Sequence, residues 1–190
     1  MDRILLIGAG GHARSCIDVL EEENQFEIAG LIEKGESISN ESLGYPVIGT
    51  DDDLKVLRQQ YKNALITVGQ IKSPKIRIKL YQLLKELDFT LPVIISPHAY
   101  VSKHAQIGEG TIIMHGVIIN ANAKIGNNCI INNKSLIEHD AVIGDHCHIA
   151  TGAILNGKVT KQAISIGKNC VIGAGVVLKN DIESNKVVKN

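Results

Sequence analysis

The sequence predicts two domains of different class, a small α/β domain over residues 1–95 and an all-β parallel β-helix over residues 96–190. In the first domain, apolar strands alternate with helix-like segments, which indicates a parallel sheet with helices on its faces. In the second, aliphatic residues recur at every sixth position from Val101 onwards. A period of six does not fit the roughly 3.6 residues of a helical turn, and it is typical of a parallel β-helix with coils of about 18 residues.

Four strands and three helices are expected in the first domain. The strand segments are "RILLIGAG", "FEIAGLIE", "YPVIGT" and "ALITVG". The helical segments are "ARSCIDVLEEE", "DDLKVLRQQY" and "PKIRIKLYQLLKEL". Acidic residues begin the second helix and Pro74 begins the third, as suits helix N-termini. A domain of this size corresponds to one half of a dinucleotide-binding fold, so it is expected to be half-Rossmann-like.

In the β-helix, one aliphatic residue of each repeat is expected to point inward, with a small or short residue four positions later near the corner. The inward positions are Val101, Ile107, Ile113, Ile119, Ile125, Ile131, Ile137, Ile143, Ile149 and Leu155. Turns that need positive φ are assigned to Gly108, Gly110, Gly126, Asn127 and Gly144. Cys129, Cys147 and Cys170 occupy the small-residue position, which predicts buried thiols that do not act as nucleophiles.

His139 follows the inward Ile137 at a corner, and a coil of about 18 residues stacks it between Ala121 and Gly157. These small neighbours leave the imidazole open space, and its ordinary pKa of about 6.5 suits a general base. Asp140 can fix the tautomer of the imidazole only if the corner turns its side chain toward the ring. His148 lies half a coil away, so the two histidines most easily serve one site across a subunit boundary.

Composition argues against several classes of function. The formal net charge is zero and aromatic residues make up 3% of the chain, which favours neither nucleic acid nor an anionic membrane as a partner. The sequence contains no apolar run of the roughly 20 residues that span a bilayer and no signal-peptide pattern, so a soluble cytoplasmic protein is expected. A metal site built from His139, His146 and His148 is disfavoured because these residues lie in different columns, and no metal is expected.

The passages "GAGGHAR", "SPHAYVSKHAQIG" and "IEHDAVIGDHCHIATGA" together resemble the NeuD/PglD-like sugar O-acyltransferases of the hexapeptide-repeat acyltransferase superfamily. This family contains sialic acid O-acetyltransferases and nucleotide-sugar 4-amino-N-acetyltransferases. The resemblance implies that the β-helix is left-handed and that the protein is a homotrimer with active sites at subunit interfaces. It also implies direct acetyl transfer from acetyl-CoA to a sugar or nucleotide-sugar, without a covalent acyl-enzyme.

The resemblance also implies site residues, matched by position. His139 matches the general base, and Asp140 matches the acidic residue that supports it. The implied acetyl-CoA site contains His148, Gly157, Gly173 and Gly175. The implied nucleotide-sugar site contains Gly10, Gly11, His12, Glu33, Lys34 and Gly69. The chain departs from the family at Glu33 and Lys34, where an acidic pair is common, and after Gly69, where Gln70 and Ile71 replace an Asn-containing loop.

The repeat also loses its register near the C-terminal end. Lys161 stands where an aliphatic residue is expected, and Ile166 resumes the pattern eleven residues after Leu155. The segment "TKQAIS" is therefore expected to form a short loop or a five-residue rung. Compared with the family, about one coil is expected to be missing, which would weaken the binding of coenzyme A.

Two other functions stay open. Gly8, Gly10 and Ala13 satisfy the G-x-G-x-x-G/A pattern after a strand, and Glu33 ends the second strand, as in nicotinamide-dependent oxidoreductases. The half-size domain counts against that function. A catalytically impaired homologue would keep the β-helix as a binding scaffold. The sequence favours the acetyltransferase, because the base, its acid and the second histidine occur together, and it leaves the acceptor sugar and N- versus O-acetylation open.

Overall fold

The structure is a computed structural model that describes residues 1–34, 41–156 and 163–189. The chain forms two compact units. The first comprises Met1–Gly69 and Lys75–Pro92, and the second comprises Gln70–Pro74 and Val93–Asn190.

The first unit contains a five-stranded sheet with the strand order β3-β4-β2-β1-β5. Its strands are β1 (Asp2–Ile7), β2 (Phe26–Ile32), β3 (Glu41–Ser42), β4 (Tyr45–Gly49) and β5 (Asn63–Ile66). All neighbouring strands are parallel except β3 and β4, which are antiparallel. The four predicted strands are confirmed. Strand β3 is an addition, because a two-residue strand carries no hydrophobic period that a sequence could reveal.

The helices of this unit are α1 (Gly11–Glu23), α2 (Leu54–Leu57) and α3 (Lys75–Glu86), and a 3₁₀ turn at Asp51–Asp53 precedes α2. Helix α1 buries one apolar face that includes Cys16, Ile17 and Leu20. Helix α2 is shorter than the predicted segment. The N–H groups of Gln59 and Gln60 donate to carbonyl groups only three residues earlier, so the chain tightens into a turn after α2.

The second unit is a left-handed β-helix with three parallel sheets. Its strands are β6 (Ile94–Ile95), β7 (Tyr100–Val101), β8 (Gln106–Ile107), β9 (Ile112–Ile113), β10 (Ile118–Ile119), β11 (Lys124–Ile125), β12 (Ile130–Ile131), β13 (Leu136–Ile137), β14 (Val142–Ile143), β15 (His148–Ile149), β16 (Ile154–Leu155), β17 (Ser165–Ile166), β18 (Val171–Ile172), β19 (Val177–Leu178) and β20 (Val187–Val188). Sheet 1 has the order β20-β18-β15-β12-β9-β6, sheet 2 has β19-β16-β13-β10-β7, and sheet 3 has β17-β14-β11-β8.

The pairing register confirms the six-residue period and the stacking of coils. Ile119 of β10 pairs with Ile137 of β13, so residues 18 positions apart are stacked neighbours (137 − 119). Each inward residue from Ile113 to Leu155 is at most 4% exposed. Strand β6 pairs with β9 and forms the first rung of the β-helix. This rung lies immediately before residue 96, the position at which the sequence predicts that the β-helix domain begins.

From Ile107 to Ile149, the corners depend on a residue with left-handed backbone conformation three positions after each inward residue. The φ values are positive at Gly110, Gly116, Asn122, Asn128, Lys134, Asp140, His146 and Gly152. The expectation of positive φ is therefore met at Gly110 but is wrong for Gly108, Gly126, Asn127 and Gly144. The three glycines among them serve close stacking. A Cβ at Gly126, for example, would lie 2.6 Å from the backbone nitrogen of Asp145 in the next coil.

The register break has a defined position. After β16 the next strand of the described residues is β17, and its Ile166 pairs with Ile143, 23 residues earlier instead of 18 (166 − 143). Ile166 thus takes the place that position 161 would hold in a regular repeat. The segment "TKQAIS" lies partly outside the described residues. Beyond Leu178, β20 pairs with β18 and adds a rung that the sequence pattern did not reveal.

Candidate active site

The imidazole of His139 lies at the corner that follows β13, beside the carboxylate of Asp140. Asp140 adopts φ 62°, which turns its side chain back toward the ring. The Nδ1–H of His139 donates a hydrogen bond of 2.7 Å to Oδ2 of Asp140. A carboxylate can only accept, so the proton resides on Nδ1 and Nε2 keeps its lone pair. The condition set by the sequence, that the corner must turn Asp140 toward the ring, is met.

The electrostatics of the pair suit a base. The hydrogen bond and the negative charge of Asp140 raise the pKa of His139 above its ordinary value. Hydrogen bonds from Asn122 and His139 hold the pKa of Asp140 below its ordinary value, so Asp140 stays ionised near neutral pH. The His139 side chain is 67% exposed, which leaves its second nitrogen open to a substrate.

His139 lies between the carboxylates of Glu138 and Asp140, with a small residue in the coil beneath. Asp140 N–H donates to the carbonyl of Ala121, so Ala121 lies in the coil beneath. Gly157, predicted above His139, lies outside the described residues. Glu138 is half-buried and accepts hydrogen bonds from the side chain of Asn120 (3.0 Å) and from the backbone N–H of His139 (3.3 Å).

His148 lies on β15 in sheet 1, whereas His139 follows β13 in sheet 2, so a single chain presents them on different faces. The Nδ1–H of His148 donates to the backbone carbonyl of Gln70 at 2.5 Å. Its Nε2 accepts from the side-chain amide of Asn132 at 3.3 Å. Both contacts require the neutral tautomer protonated at Nδ1. His148 therefore offers no free base comparable to His139.

A largely apolar groove of about 370 Å³ lies beside His148. Gln70, Ala150, Val171 and Gly173 contribute to its wall. The Gln70 side chain donates to the carbonyl groups of His146 and Cys170, which fixes this wall to the β-helix. The sequence did not reveal this contact, because it joins residues far apart in the chain.

The two predicted glycines of this region differ in position. Gly173 lines the groove, and a Cβ on it would lie 3.0 Å from the carbonyl oxygen of Val188. Gly175 is not among the lining residues. Its φ is 68° and its N–H donates to the carbonyl of Thr151, so it serves as a corner residue.

The glycine turn after β1 is built by close contacts within the first unit. Gly8 has φ 114°, and a Cβ there would lie 2.6 Å from Cγ2 of Val68, so only glycine fits. Gly10 is the N-cap residue of α1 and Gly11 its first residue. Both are exposed, with open space where a Cβ would stand.

Glu33 closes this turn. Its Oε2 accepts a hydrogen bond of 2.6 Å from the N–H of Ala9, and its Oε1 accepts one of 3.0 Å from the N–H of Lys34. Gly8, Glu33, Lys34, Asp51 and Lys79 contribute to a cavity of about 350 Å³ in the first unit.

The remaining predicted residues of the nucleotide-sugar site lie outside the lining of that cavity. Gly10, Gly11, His12 and Gly69 are absent from it. His12 and Gly69 adjoin each other, since a Cβ on Gly69 would lie 3.4 Å from that of His12. The structure thus brings together Glu33 and Lys34 as one group and His12 and Gly69 as another.

The cysteine column, formed by Cys129, Cys147 and Cys170, is buried as predicted. The backbone N–H groups of Cys147 and Cys170 donate to the sulfur atom of the cysteine one coil earlier. The contact with Cys129 and burial raise the pKa of Cys147, and burial raises that of Cys170. These thiols are therefore unsuited to nucleophilic attack.

No group of three or more histidine, cysteine, aspartate or glutamate side chains within residues 1–34, 41–156 and 163–189 is arranged to hold a metal ion. None of the helices in the same ranges is both long enough and apolar enough to cross a membrane.

The chain matches three protein-family models. The PglD N-terminal domain matches residues 3–84, the bacterial transferase hexapeptide (six repeats) matches residues 104–139 and 122–157, and the hexapeptide repeat of succinyl-transferase matches residues 159–180. Together with the left-handed β-helix, these matches define the class of the protein as a hexapeptide-repeat acyltransferase. No curated protein sequence matches the chain at a significant level.

Solved structures refine this class. A variant of perosamine N-acetyltransferase from Caulobacter crescentus, in complex with CoA and GDP-perosamine, is similar with a TM-score of 0.82 and 28% identity over 98% of this chain and 93% of that chain. The acetyltransferase domain of PglB from Neisseria gonorrhoeae, in complex with acetyl coenzyme A, gives a TM-score of 0.86 and 27% identity over 98% and 88%. WeeI from Acinetobacter baumannii shares the fold, with a TM-score of 0.79 and 23% identity over 100% and 97%.

The chain therefore combines a PglD-type N-terminal domain with hexapeptide repeats, and its structural neighbours are sugar N-acetyltransferases of the hexapeptide-repeat acyltransferase superfamily. The family resemblance predicted from the sequence is confirmed.

Proposed function

We propose that this protein is an acetyl-CoA-dependent acetyltransferase that acetylates the amino group of a nucleotide-linked sugar. The observation that carries the proposal is the His139–Asp140 pair. Its geometry fixes the proton on Nδ1 and leaves the basic Nε2 on an exposed corner. A general base of this kind typically accelerates a reaction by a factor of about 10²–10⁴.

In the proposed reaction, Nε2 of His139 removes a proton from the acceptor amine as its nitrogen attacks the thioester carbonyl carbon of acetyl-CoA. The tetrahedral intermediate collapses, the C–S bond breaks, and the imidazolium returns the proton to the coenzyme A sulfur. Asp140 stabilises the imidazolium throughout. No covalent acyl-enzyme is needed, in keeping with the burial of the cysteine column.

The apolar groove beside His148 supports binding of the acetyl donor. Coenzyme A carries a long, flexible arm with aliphatic segments, and a largely apolar groove of about 370 Å³ with few polar groups suits such a ligand. The related PglB domain was solved with acetyl coenzyme A and the perosamine enzyme with CoA. Gly157 and Gly175 stay predictions from the family resemblance.

The cavity of the first unit supports binding of the acceptor. Lys34 and Lys79 line this cavity together with Glu33, Asp51 and apolar side chains, so it offers cations for a phosphate and apolar walls for a base. The perosamine enzyme was solved with GDP-perosamine, an amino sugar carried on a nucleotide. The assignments of Gly10, Gly11, His12 and Gly69 to this ligand stay predictions.

An apolar column on the outer face of sheet 2 supports a homotrimer. The column consists of Tyr100, Ile118, Leu136, Ile154 and Val177, stacked in register. Tyr100, Ile118 and Val177 are 60%, 43% and 47% exposed. The equivalent column of sheet 3 starts with Gln106 and Lys124 and is more polar. A contiguous exposed apolar face favours association, and this one runs directly beside the corner that carries His139.

The two competing functions are less well supported. In a nicotinamide-dependent oxidoreductase, the acidic residue at the end of the second strand binds the ribose hydroxyls, but here both oxygens of Glu33 already accept backbone hydrogen bonds. A catalytically impaired scaffold has no need for an ionised carboxylate that orients His139. The scaffold function would be favoured if the protein transfers no acetyl group in the test described next.

The test is acetyl transfer measured by mass spectrometry. The protein is incubated with acetyl-CoA and a panel of GDP-, UDP- and CMP-linked sugars that bear either a free amine or only hydroxyl groups. We expect a mass gain of one acetyl group on an amino sugar. Transfer only to a hydroxyl group, as on a sialic-acid-type sugar, would show that the protein is an O-acetyltransferase and that the proposed N-acetylation is wrong. Absence of transfer to any acceptor would contradict the whole proposal.

The matched variants are His139→Ala and, as a control, His98→Ala at an exposed corner elsewhere in the β-helix. We expect His139→Ala to lower the rate of acetyl transfer by a factor of about 10²–10⁴. The circular dichroism spectrum and the molar mass in solution should stay unchanged. We expect His98→Ala to keep its activity. Full activity of His139→Ala would remove His139 as the base.

A further inference from the structure

The corner formed by Asn120, Ala121 and Asn122 lies one coil beneath Glu138, His139 and Asp140. Each residue of the lower corner is 18 positions before its partner in the upper corner, which is the offset of stacked neighbours in this part of the β-helix. The side chain of Asn120 donates to Glu138, and that of Asn122 donates to Asp140. The carboxylates on both flanks of His139 are thus held from below by an asparagine amide.

Of the two asparagines, Asn122 acts on the group that touches the imidazole. Its Nδ2 donates a hydrogen bond of 2.5 Å to Oδ1 of Asp140, while Oδ2 of the same carboxylate accepts from Nδ1 of His139 at 2.7 Å. One carboxylate oxygen faces each partner. Rotation of the Asp140 side chain would break both hydrogen bonds at once.

Exposure makes this support necessary. The Asp140 side chain is 50% exposed, so solvent competes for its oxygens, and the hydrogen bond from Asn122 restricts its rotation. Asn122 and Asp140 both have left-handed backbone conformation, with φ of 61° and 62°. Their side chains therefore leave the corner in the same direction and meet across the coil boundary.

We propose that Asn122 is a positioning residue for the reaction, which orients Asp140 so that the carboxylate faces Nδ1 of His139. The proposal rests on the proposed function, in which His139 is the general base. Asn122 itself touches neither substrate in this mechanism. Its contribution passes through Asp140 to the tautomer and the pKa of the imidazole.

The test variant is Asn122→Gly, because an alanine at positive φ would add backbone strain that glycine avoids. The matched control is Asn169→Gly. Asn169 has φ 63°, and its Nδ2 donates 2.9 Å to Oδ1 of Asn185, so it forms the same kind of corner ladder away from His139.

We expect Asn122→Gly to lower kcat roughly tenfold, a fraction of the 10²–10⁴ that a general base supplies, and to leave KM for acetyl-CoA unchanged. The pKa of His139, measured by NMR titration of its ring, should fall because Asp140 no longer faces the ring continuously. Asn169→Gly should change neither quantity, even if both variants lose similar thermal stability.

A second variant, Asn122→Asp, separates orientation from stability. It keeps the size of the side chain and tolerates positive φ, but it places a second carboxylate against Asp140 and removes the donated hydrogen bond. We expect kcat to fall again, while the added negative charge raises the pKa of His139. Opposite shifts in pKa with losses of kcat in both variants would not arise from a merely structural ladder.

The proposal is overturned if Asn122→Gly behaves like Asn169→Gly in both kcat and the titration of His139. Failure of the proposed function is a distinct result. If the wild-type protein transfers no acetyl group, the proposed function is wrong and Asn122 has no catalytic role. If the pKa of His139 is the same in Asn122→Gly as in the wild-type protein, Asn122 does not hold Asp140 against the ring.

Discussion

The inward and outward residues of strand β14 provide a direct test of the β-helix register. Ile143 is 2% exposed and Val142, its neighbour in the same strand, is 41% exposed. Ile143→Ala removes three buried carbons, worth about 2.4 kcal/mol at about 0.8 kcal/mol per carbon. The cavity that remains brings the expected loss of unfolding free energy to about 2–5 kcal/mol.

Val142→Ala is the matched control, because it shortens a branched side chain that is partly in water. We expect it to cost less than about 1 kcal/mol, as most surface substitutions do. The measurement is urea unfolding followed by far-UV circular dichroism, with the slope of the transition compared between variants. Equal losses for the two variants, or a greater loss for Val142→Ala, would refute the register. Since a shift of one residue exchanges the two faces of a strand, that result would also remove His139 from its corner.

Three further predictions concern the site, the thiols and the glycine turn. Asp140→Asn removes the charge that raises the pKa of His139, so the rising limb of kcat/KM, which requires neutral imidazole, should move to lower pH as kcat falls; a limb at unchanged pH would contradict the pairing. The cysteine column should resist a disulfide-exchange reagent in the folded protein and react after unfolding, and rapid labelling of the native protein would show that burial is incomplete. Gly8→Ala should lower the free energy of unfolding by about 1–3 kcal/mol, because its Cβ would lie 2.6 Å from a methyl group of Val68 at positive φ; an unchanged melting temperature would argue against this contact.

Periodicity made most of the β-helix predictable. The inward residues, the offset of about 18 residues and the burial of the cysteines all follow from one repeated pattern. The same offset relates Asp140 to Asn122, so their proximity was accessible from the sequence. The direction of the Asp140 side chain was not, because it depends on a positive φ that alternation along a strand does not predict.

Two other features were beyond a pattern of this kind. The contacts of Gln70 with His146 and Cys170 join segments more than 70 residues apart, and only the folded chain brings them together. The register break allowed either a loop or a short rung, since both return Ile166 to an inward position. Its pairing with Ile143 is visible only in the folded chain.

Because Asn122 stacks beneath Asp140, two neighbouring turns of the solenoid contribute different residues to the proposed site. In the proposed mechanism, the turn with His139 supplies the proton acceptor, and the turn before it supplies Asn122, which keeps the acceptor aligned through Asp140. Because turns of a solenoid contact only their immediate neighbours, exchanging that earlier turn could retune the basicity of His139 without altering any residue that meets a substrate. Variation in such proteins can thus adjust proton chemistry from one layer away.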